Sequence, residues 1–334
     1  MENSRPCWEK KIDICAVGEL IADFTPCGLS ALGMPQFTCN PGGAPGNVMA
    51  CISRLGGTAA FIGKVGRDRF GSFLKNSLKA AGVDTRGVIE AQEANTTLAF
   101  VHLDEDGDRS FSFYRKNSAD ILLRRDEIDD RLLDSAEYFH FGSVSMTDEP
   151  ARSATLSAVE YAKRAGKRIS YDPNYRSALW RDEAEAKAFM RRGLEYADIV
   201  KVSEEELYFL AEGGTVQDKI GWMMEKYPVS LLLVSMGGKG AVCAGRDFVV
   251  SLPAFAVEAV DTNGAGDAFM GGFLFSLLKK GVDPKEISCG EAIECLRFAN
   301  AAGALATTKS GAIPAMPAYD EVLDCINRTP KARR

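Results

Sequence analysis

The stretch Asp261-Thr262-Asn263-Gly264-Ala265-Gly266-Asp267-Ala268-Phe269 decides how this chain is read. Three small residues stand where a loop becomes an apolar helical run, predicted over Gly266–Lys280. With almost no side chain in the way, their backbone N–H groups can point outward at an anion, and a phosphate can approach them closely. Asp267 then falls in the first helical turn, where the positive end of the helix favours its ionised form. A carboxylate there is ready to accept a proton from a hydroxyl. Taken alone, a bare Gly-x-Gly-Asp is better read as a glycine-rich helix cap with a capping Asp.

A second segment, Gly42-Gly43-Ala44-Pro45-Gly46-Asn47, leads into a helix predicted over Ala44–Leu55. Small residues followed by one amide side chain suit the close approach of a polyol, with Asn47 bonding its hydroxyls. Alone, this segment is also readable as a tight helix entry.

Around these two segments the chain alternates. Strand-like Ile12–Val17, Ala59–Gly63, Tyr138–Phe141, Arg168–Asp172, Ile199–Val202 and Ser230–Ser235 are interleaved with helical stretches at Phe70–Ala80, Ala151–Ala165 and Glu183–Tyr196. Further helices are predicted at Glu204–Ala211, Val216–Lys226 and Glu291–Thr307. Such alternation implies a parallel sheet covered by helices on both faces. Two inserts break the rhythm, at about residues 20–39 and 97–117. The first is rich in Gly, Pro and Phe. The second alternates apolar and polar residues on either side of Asp104-Glu105-Asp106-Gly107-Asp108, a hairpin signature. Both leave the pattern near C-terminal strand ends, where open α/β sheets bind ligands. They are predicted to form a small β-sheet lid, with surface decoration as the alternative. No linker, repeat or low-complexity segment divides the 334 residues.

Composition removes several function classes. A net charge of −6 without any basic stripe excludes a nucleic-acid partner. The longest apolar run, Ala268–Leu278, is about half of what a membrane span needs, so no membrane partner is expected. Nine cysteines without a Cys-x-x-Cys pair, and an N-terminus lacking an apolar leader, predict a cytoplasmic protein with reduced thiols. His102 and His140 have no ligand-like company, which argues against structural zinc. No Gly-x-x-x-x-Gly-Lys-Ser/Thr occurs, so this is not a P-loop enzyme, and Gly237-Gly238-Lys239-Gly240 is too short for a dinucleotide fingerprint.

In order and spacing, the Gly42–Asn47 and Asp261–Phe269 segments resemble the two signatures of the ribokinase-like (pfkB) carbohydrate kinases, over about Ile12 to Pro317. Phe111-Ser112-Phe113-Tyr114-Arg115, Gly142-Ser143-Val144-Ser145 and Asp172-Pro173-Asn174-Tyr175-Arg176 are most similar to fructokinases. The resemblance implies one kinase domain over residues 1–334, a Rossmann-like three-layer α/β/α fold with a β-lid, and ATP and Mg²⁺ as cosubstrates. Asp267 matches the catalytic base, with Gly264, Ala265 and Gly266 as the anion hole. Asp23, Gly42, Gly43 and Asn47 match the sugar site, Phe100 and Arg115 the lid positions that close over it, and Asn174 and Arg176 the next strand tip. Ser235, Gly237 and Gly240 match the ATP loop, and Asn300 and the Gly311 region the adenine wall. Glu206 matches an acid that acts indirectly on Mg²⁺, although Ser203 replaces the usual Asn before it; Asn263 stands where Thr is more usual. The resemblance also raises a monovalent cation, K⁺, near Asp261 and Gly311, and a homodimer joined through the lid.

The implied reaction is phosphorylation of D-fructose to fructose 6-phosphate. A 2-keto-3-deoxygluconate kinase is the alternative, since Arg115 and Arg176 together could clamp a carboxylate bidentately. From another class, a catalytically silent sugar-binding regulator would keep the fold but not the base.

Overall fold

The computed structural model describes residues 11–103 and 109–328. From the N-terminus, β1 (Ile12–Val17) leads into a hairpin of β2 (Ile21–Leu29) and β3 (Pro35–Gly42), then α1 (Ala44–Arg54), β4 (Ala59–Gly66), α2 (Arg69–Ala80) and β5 (Asp84–Ala91). A second hairpin follows, β6 (Leu98–Leu103) and β7 (Arg109–Tyr114), and its expected turn at Asp104–Asp108 lies outside the described residues. Next come α3 (Asp130–Ser135), β8 (Ala136–Gly142), α4 (Ala151–Arg164), β9 (Arg168–Asp172), α5 (Glu183–Leu194) and β10 (Ile199–Ser203). The chain continues through α6 (Glu204–Leu210), α7 (Val216–Lys226), β11 (Leu231–Ser235), β12 (Ala241–Gly245) and β13 (Phe248–Leu252). It closes with α8 (Ala265–Lys280), α9 (Cys289–Ala306) and α10 (Tyr319–Arg328).

Nine strands form the main sheet in the order β13-β12-β11-β10-β9-β8-β1-β4-β5. Its strands are apolar on both faces because helices cover both. Ile14 and Ala16 of β1 pack with α1, α8 and α9, while Cys15 and Val17 face the layer of α3 to α7. The expected parallel pairing holds from β11 to β5, but β12 and β13 add an antiparallel edge. The Gly240–Leu252 segment carries a short two-stranded pattern that the parallel reading passed over. β5, α3 and α10 were likewise not predicted. β1 sits between β8 and β4, so connections leave it in both directions. That reversal opens a crevice at the C-terminal strand ends, where α/β sheets take their ligands.

Both predicted inserts are strands, and they meet. β2 and β6 pair in parallel at the centre of a four-stranded sheet ordered β3-β2-β6-β7. This lid has two distinct faces. On one, Ile21, Asp23, Phe111 and Phe113 look into the crevice. On the other, Phe24 stacks on Phe100 at 4.8 Å, and Phe37 and Tyr114 meet the Phe100 ring edge-on. Among the described residues no helix is long and apolar enough to cross a membrane, and Cys15, Cys27, Cys39, Cys51, Cys243, Cys289 and Cys295 are free thiols.

Candidate active site

Gly264 caps α8 in the left-handed region at φ 76°, a conformation that costs glycine little and other residues much. Asp261 braces this turn, because its carboxylate accepts the Asn263 N–H at 2.9 Å and the Gly311 N–H at 3.0 Å. Gly311 therefore stands behind the loop, and it does not line the neighbouring cavity as an adenine wall would.

The loop is a partition. Asn263 and Asp267 face a narrow polar cleft also lined by Asp23, Gly43, Asn47, Asn174 and Arg176. Thr262, Ala265 and Gly266 face a second cavity of about 420 Å³, whose walls include Ser235, Gly237, Gly240 and Asn300. This second cavity is largely apolar, with Phe255, Val257, Ala259, Phe269 and Ala304 around it. The Asn300 amide is turned back to the Leu252 and Pro253 carbonyls, so it shapes the wall and fixes the β13 exit.

In the polar cleft, Asn47 Nδ2 donates to Asp267 Oδ2 at 2.8 Å. Asn47 Oδ1 is buried without a protein partner. Burial pushes the Asp267 carboxyl above its ordinary range, with Asn47, Lys201 and Arg176 working against it. The helix N-terminus was expected to keep this group readily ionised; desolvation outweighs that effect and makes it a stronger proton acceptor once ionised. Asp23 is likewise pushed up to about 7 by desolvation, only partly offset by Arg176 and the Asn263 side chain. Gly42 does not line the cleft. It makes room for Asp23, whose Oδ2 lies 2.1 Å from the point a Cβ on Gly42 would occupy. Asn174 holds a left-handed φ of 50°, unusual for a residue with a side chain, at the tip of β9.

Two lid residues do not do what the sequence suggested. Phe100 lies on the lid face turned away from the cleft; strand alternation puts Phe111 and Phe113 on the inner face instead. Arg115 is buried and fully engaged, donating from Nε to Asp120 Oδ2 at 2.7 Å, from Nη1 to Thr147 Oγ1 at 2.6 Å and from Nη2 to the Val144 carbonyl at 2.9 Å. Asp120 also accepts from Thr97 Oγ1 at 2.5 Å, so it joins the start of β6 to the end of β7. Arg115 is a structural clamp.

Glu206 is buried, and its carboxylate accepts the N–H groups of Tyr175 at 2.6 Å and Ser203 at 2.8 Å. Ser203, in place of Asn, caps α6 through the Glu206 N–H. Sequence reading missed Glu19, which lines the cleft, holds the Ala44 N–H at 3.0 Å and is raised to about 7 by burial. It also missed a buried ion pair between Lys201 and Asp172 at 2.9 Å. A polar residue inside an otherwise apolar strand, as Lys201 is in Ile199–Ser203, was the available signal.

The arrangement can hold a hydroxyl-bearing molecule on one side of the loop and an anion with an apolar body on the other. Comparison with known proteins agrees with this geometry. Residues 11–319 match the model of the pfkB family carbohydrate kinases. Fructokinase-1 of Zea mays is 46% identical over 318 residues, 94% of this chain and 98% of that protein. The crystal structure of a fructokinase with bound ATP from Xylella fastidiosa superposes with a TM-score of 0.87 at 38% identity, covering 95% of this chain and 98% of that one. A Vibrio cholerae O395 fructokinase in its fructose, ADP and calcium ion bound form superposes at 0.84 with 33% identity, covering 95% and 99%. With both signatures meeting at one loop and the match running through nearly all of the chain, this protein belongs to the pfkB family of carbohydrate kinases.

Proposed function

We propose that the protein transfers the γ-phosphoryl group of ATP to D-fructose, giving fructose 6-phosphate. The observation that carries this is the partition: one loop turns Asp267 toward a polar cleft and its small residues toward a cavity fit for a nucleotide. The whole chain acts as one kinase unit, with lid inserts at about 20–39 and 97–117. Asp23 and Asn47 hold the sugar hydroxyls, Asn174 and Arg176 line the far side, and Phe111 and Phe113 cover it from the lid. Asp267 takes the proton of the attacking hydroxyl as its oxygen bonds phosphorus, and ADP leaves with the electrons of the broken P–O bond. The backbone amides of Gly264, Ala265 and Gly266 spread the developing charge. Ser235, Gly237 and Gly240 border the nucleotide.

Among the described residues no group of three or more acidic, His or Cys side chains forms a metal cage. Mg²⁺ fits nonetheless, because it binds mainly through phosphates and water and needs few protein ligands. Glu206 and Asp172, with Asp172 Oδ1 buried and unpartnered, supply the nearby negative charge. When bound, Mg²⁺ neutralises phosphate charge. K⁺ at the Asp261 loop would brace the same turn, and rates in K⁺ against Na⁺ test it. The exposed lid residues Leu29, Leu32, Met34, Phe37 and Tyr114 support pairing with a second copy. Free thiols fit a reducing, cytoplasmic setting.

A sugar panel with MgATP, read by ADP release and by ³¹P NMR of the product, tests the reading. Fructose should exceed 2-keto-3-deoxygluconate in kcat/KM by about tenfold, or about 1.4 kcal/mol. Of the two arginines that could clamp the keto-acid, Arg115 is committed elsewhere and only Arg176 lines the cleft. Faster turnover of the acid overturns the fructose assignment and leaves the kinase one standing. Sugar binding without ADP release for any member of the panel would favour the regulator.

A further inference from the structure

Lys201 is 6% exposed, yet it is placed where structure alone disfavours it. Along β10, Val200 and Val202 face the α4–α7 layer and Ile199 faces α8, so strand alternation turns Lys201 toward α8 as well. Its ammonium lies 3.0 Å from the point a Cβ on Gly266 would occupy, directly against the first turn of α8. That turn is the positive end of a 16-residue helix, which repels a cation. A buried ion pair of this kind adds little net stability over apolar residues of similar size. The pair with Asp172 also leaves Asp172 Oδ1 without a partner. Neither packing nor pairing accounts for a lysine here.

Charge does. Lys201 lines neither cavity, so it stands behind the loop that separates them. We propose that Lys201 is a positioning residue for phosphoryl transfer, its ammonium locked by Asp172 under Gly266 to supply fixed positive charge to the Asp267 carboxylate and the loop amides. This rests on the kinase reading above. The groups that face Asp267 are Asn47 and Cys51 of α1, Asp23 of the lid, Asp172 and Arg176 at the end of β9, and Glu206 of α6. Of these only Arg176 is cationic, and it stands on the sugar side of the loop. Lys201 is therefore the cation on the opposite side. It is itself held charged by Asp172, Glu206 and Asp267, against the cost of burial. The fixed charge acts before any ligand arrives and needs no reorganisation during the reaction, which is how such charges contribute most.

Lys201→Gln keeps a donor to Asp172 and removes the charge; Lys201→Arg keeps the charge. The acceptor in the test is whichever sugar the wild-type protein phosphorylates fastest, so a wrong sugar assignment does not touch it. In Lys201→Gln, kcat should fall about tenfold or more while the KM for sugar stays within about threefold, as expected when only transition-state stabilisation is lost. The acid limb of kcat/KM should move to higher pH, because Asp267 loses a neighbour that favours its ionised form, and Lys201→Arg should recover much of the rate. If Lys201→Gln does not fold, the neutral pair Lys201→Gln with Asp172→Asn carries the test, with kcat still low and sugar KM little changed. Wild-type kcat in either folded variant, or an unmoved acid limb in Lys201→Gln, overturns the proposal.

Discussion

Asn47 and Asp267, 220 positions apart in sequence, are joined by a 2.8 Å hydrogen bond that ties the first turn of α1 to the first turn of α8. The amide thus orients the carboxylate from the side on which a sugar hydroxyl would arrive. Asp267→Asn keeps the shape and the neighbour but cannot accept a proton. Its kcat should drop by about 10²–10⁴, the usual worth of a general base, with circular dichroism and nucleotide binding unchanged. Turnover close to wild type in steady-state assays would remove Asp267 from that role.

Gly264 gives a second test. A side chain there would be strained at φ 76° and would meet Ala312 Cβ at 2.9 Å. Gly264→Val should abolish detectable transfer while fructose binding, followed by calorimetry, persists. An active valine variant would reduce the loop to a helix cap.

Arg115→Ala should act on stability. It leaves Asp120 buried beside an empty guanidinium site, and breaking a buried pair costs about 3–5 kcal/mol. Urea denaturation should show that loss, together with a raised KM for sugar as the lid feet loosen at Thr97 and Asp120. A variant of unchanged stability would show that the clamp is dispensable.

Asp23 couples pH to both binding and stability. Its carboxyl is raised from 3.8 to about 7, so between those values the folded protein holds more protons than the unfolded chain. Stability in that window therefore falls as pH rises, and is lost through about pH 7. Asp23→Asn should stabilise the ligand-free protein at pH 8 by about 1 kcal/mol. The same change should weaken fructose binding, and the wild-type KM for fructose should climb as pH drops below the Asp23 value. Melting curves at pH 5 and pH 8 with and without fructose separate the two effects.

The main sheet and the two signature segments were legible because each rests on local pattern: apolar runs, helix periods, and small residues at fixed spacing. Ile12–Val17, Arg168–Asp172 and Val216–Lys226 have the same bounds in sequence and structure. What escaped was set by contacts distant in the chain. Phe100 and Phe111 are both lid aromatics, and only the register Val101↔Phe111 and Phe100↔Ser112 decides which of them turns inward. Arg115 reads as a ligand-seeking cation until Asp120, Thr147 and Val144 are brought around it. Lys201 and Asp172 lie 29 residues apart on neighbouring strands, so neither announces the other. β12 and β13 were lost to a short glycine-flanked stretch that is no stronger locally than a loop.

The ring cluster of Phe24, Phe37, Phe100 and Tyr114 spans all four lid strands, and Asp120 fastens two of those strands at their base. The lid is therefore one stiff plate and not a pair of independent flaps. Asp23 rides on that plate, while Asn47 and Asp267 are fixed to the helical layer beneath. A molecule that bonds all three must span from the plate to the helical layer. A sugar, with several hydroxyls along its length, has that reach; a single water does not. Contact with both layers at once is then a matter of span, set by the length of the acceptor.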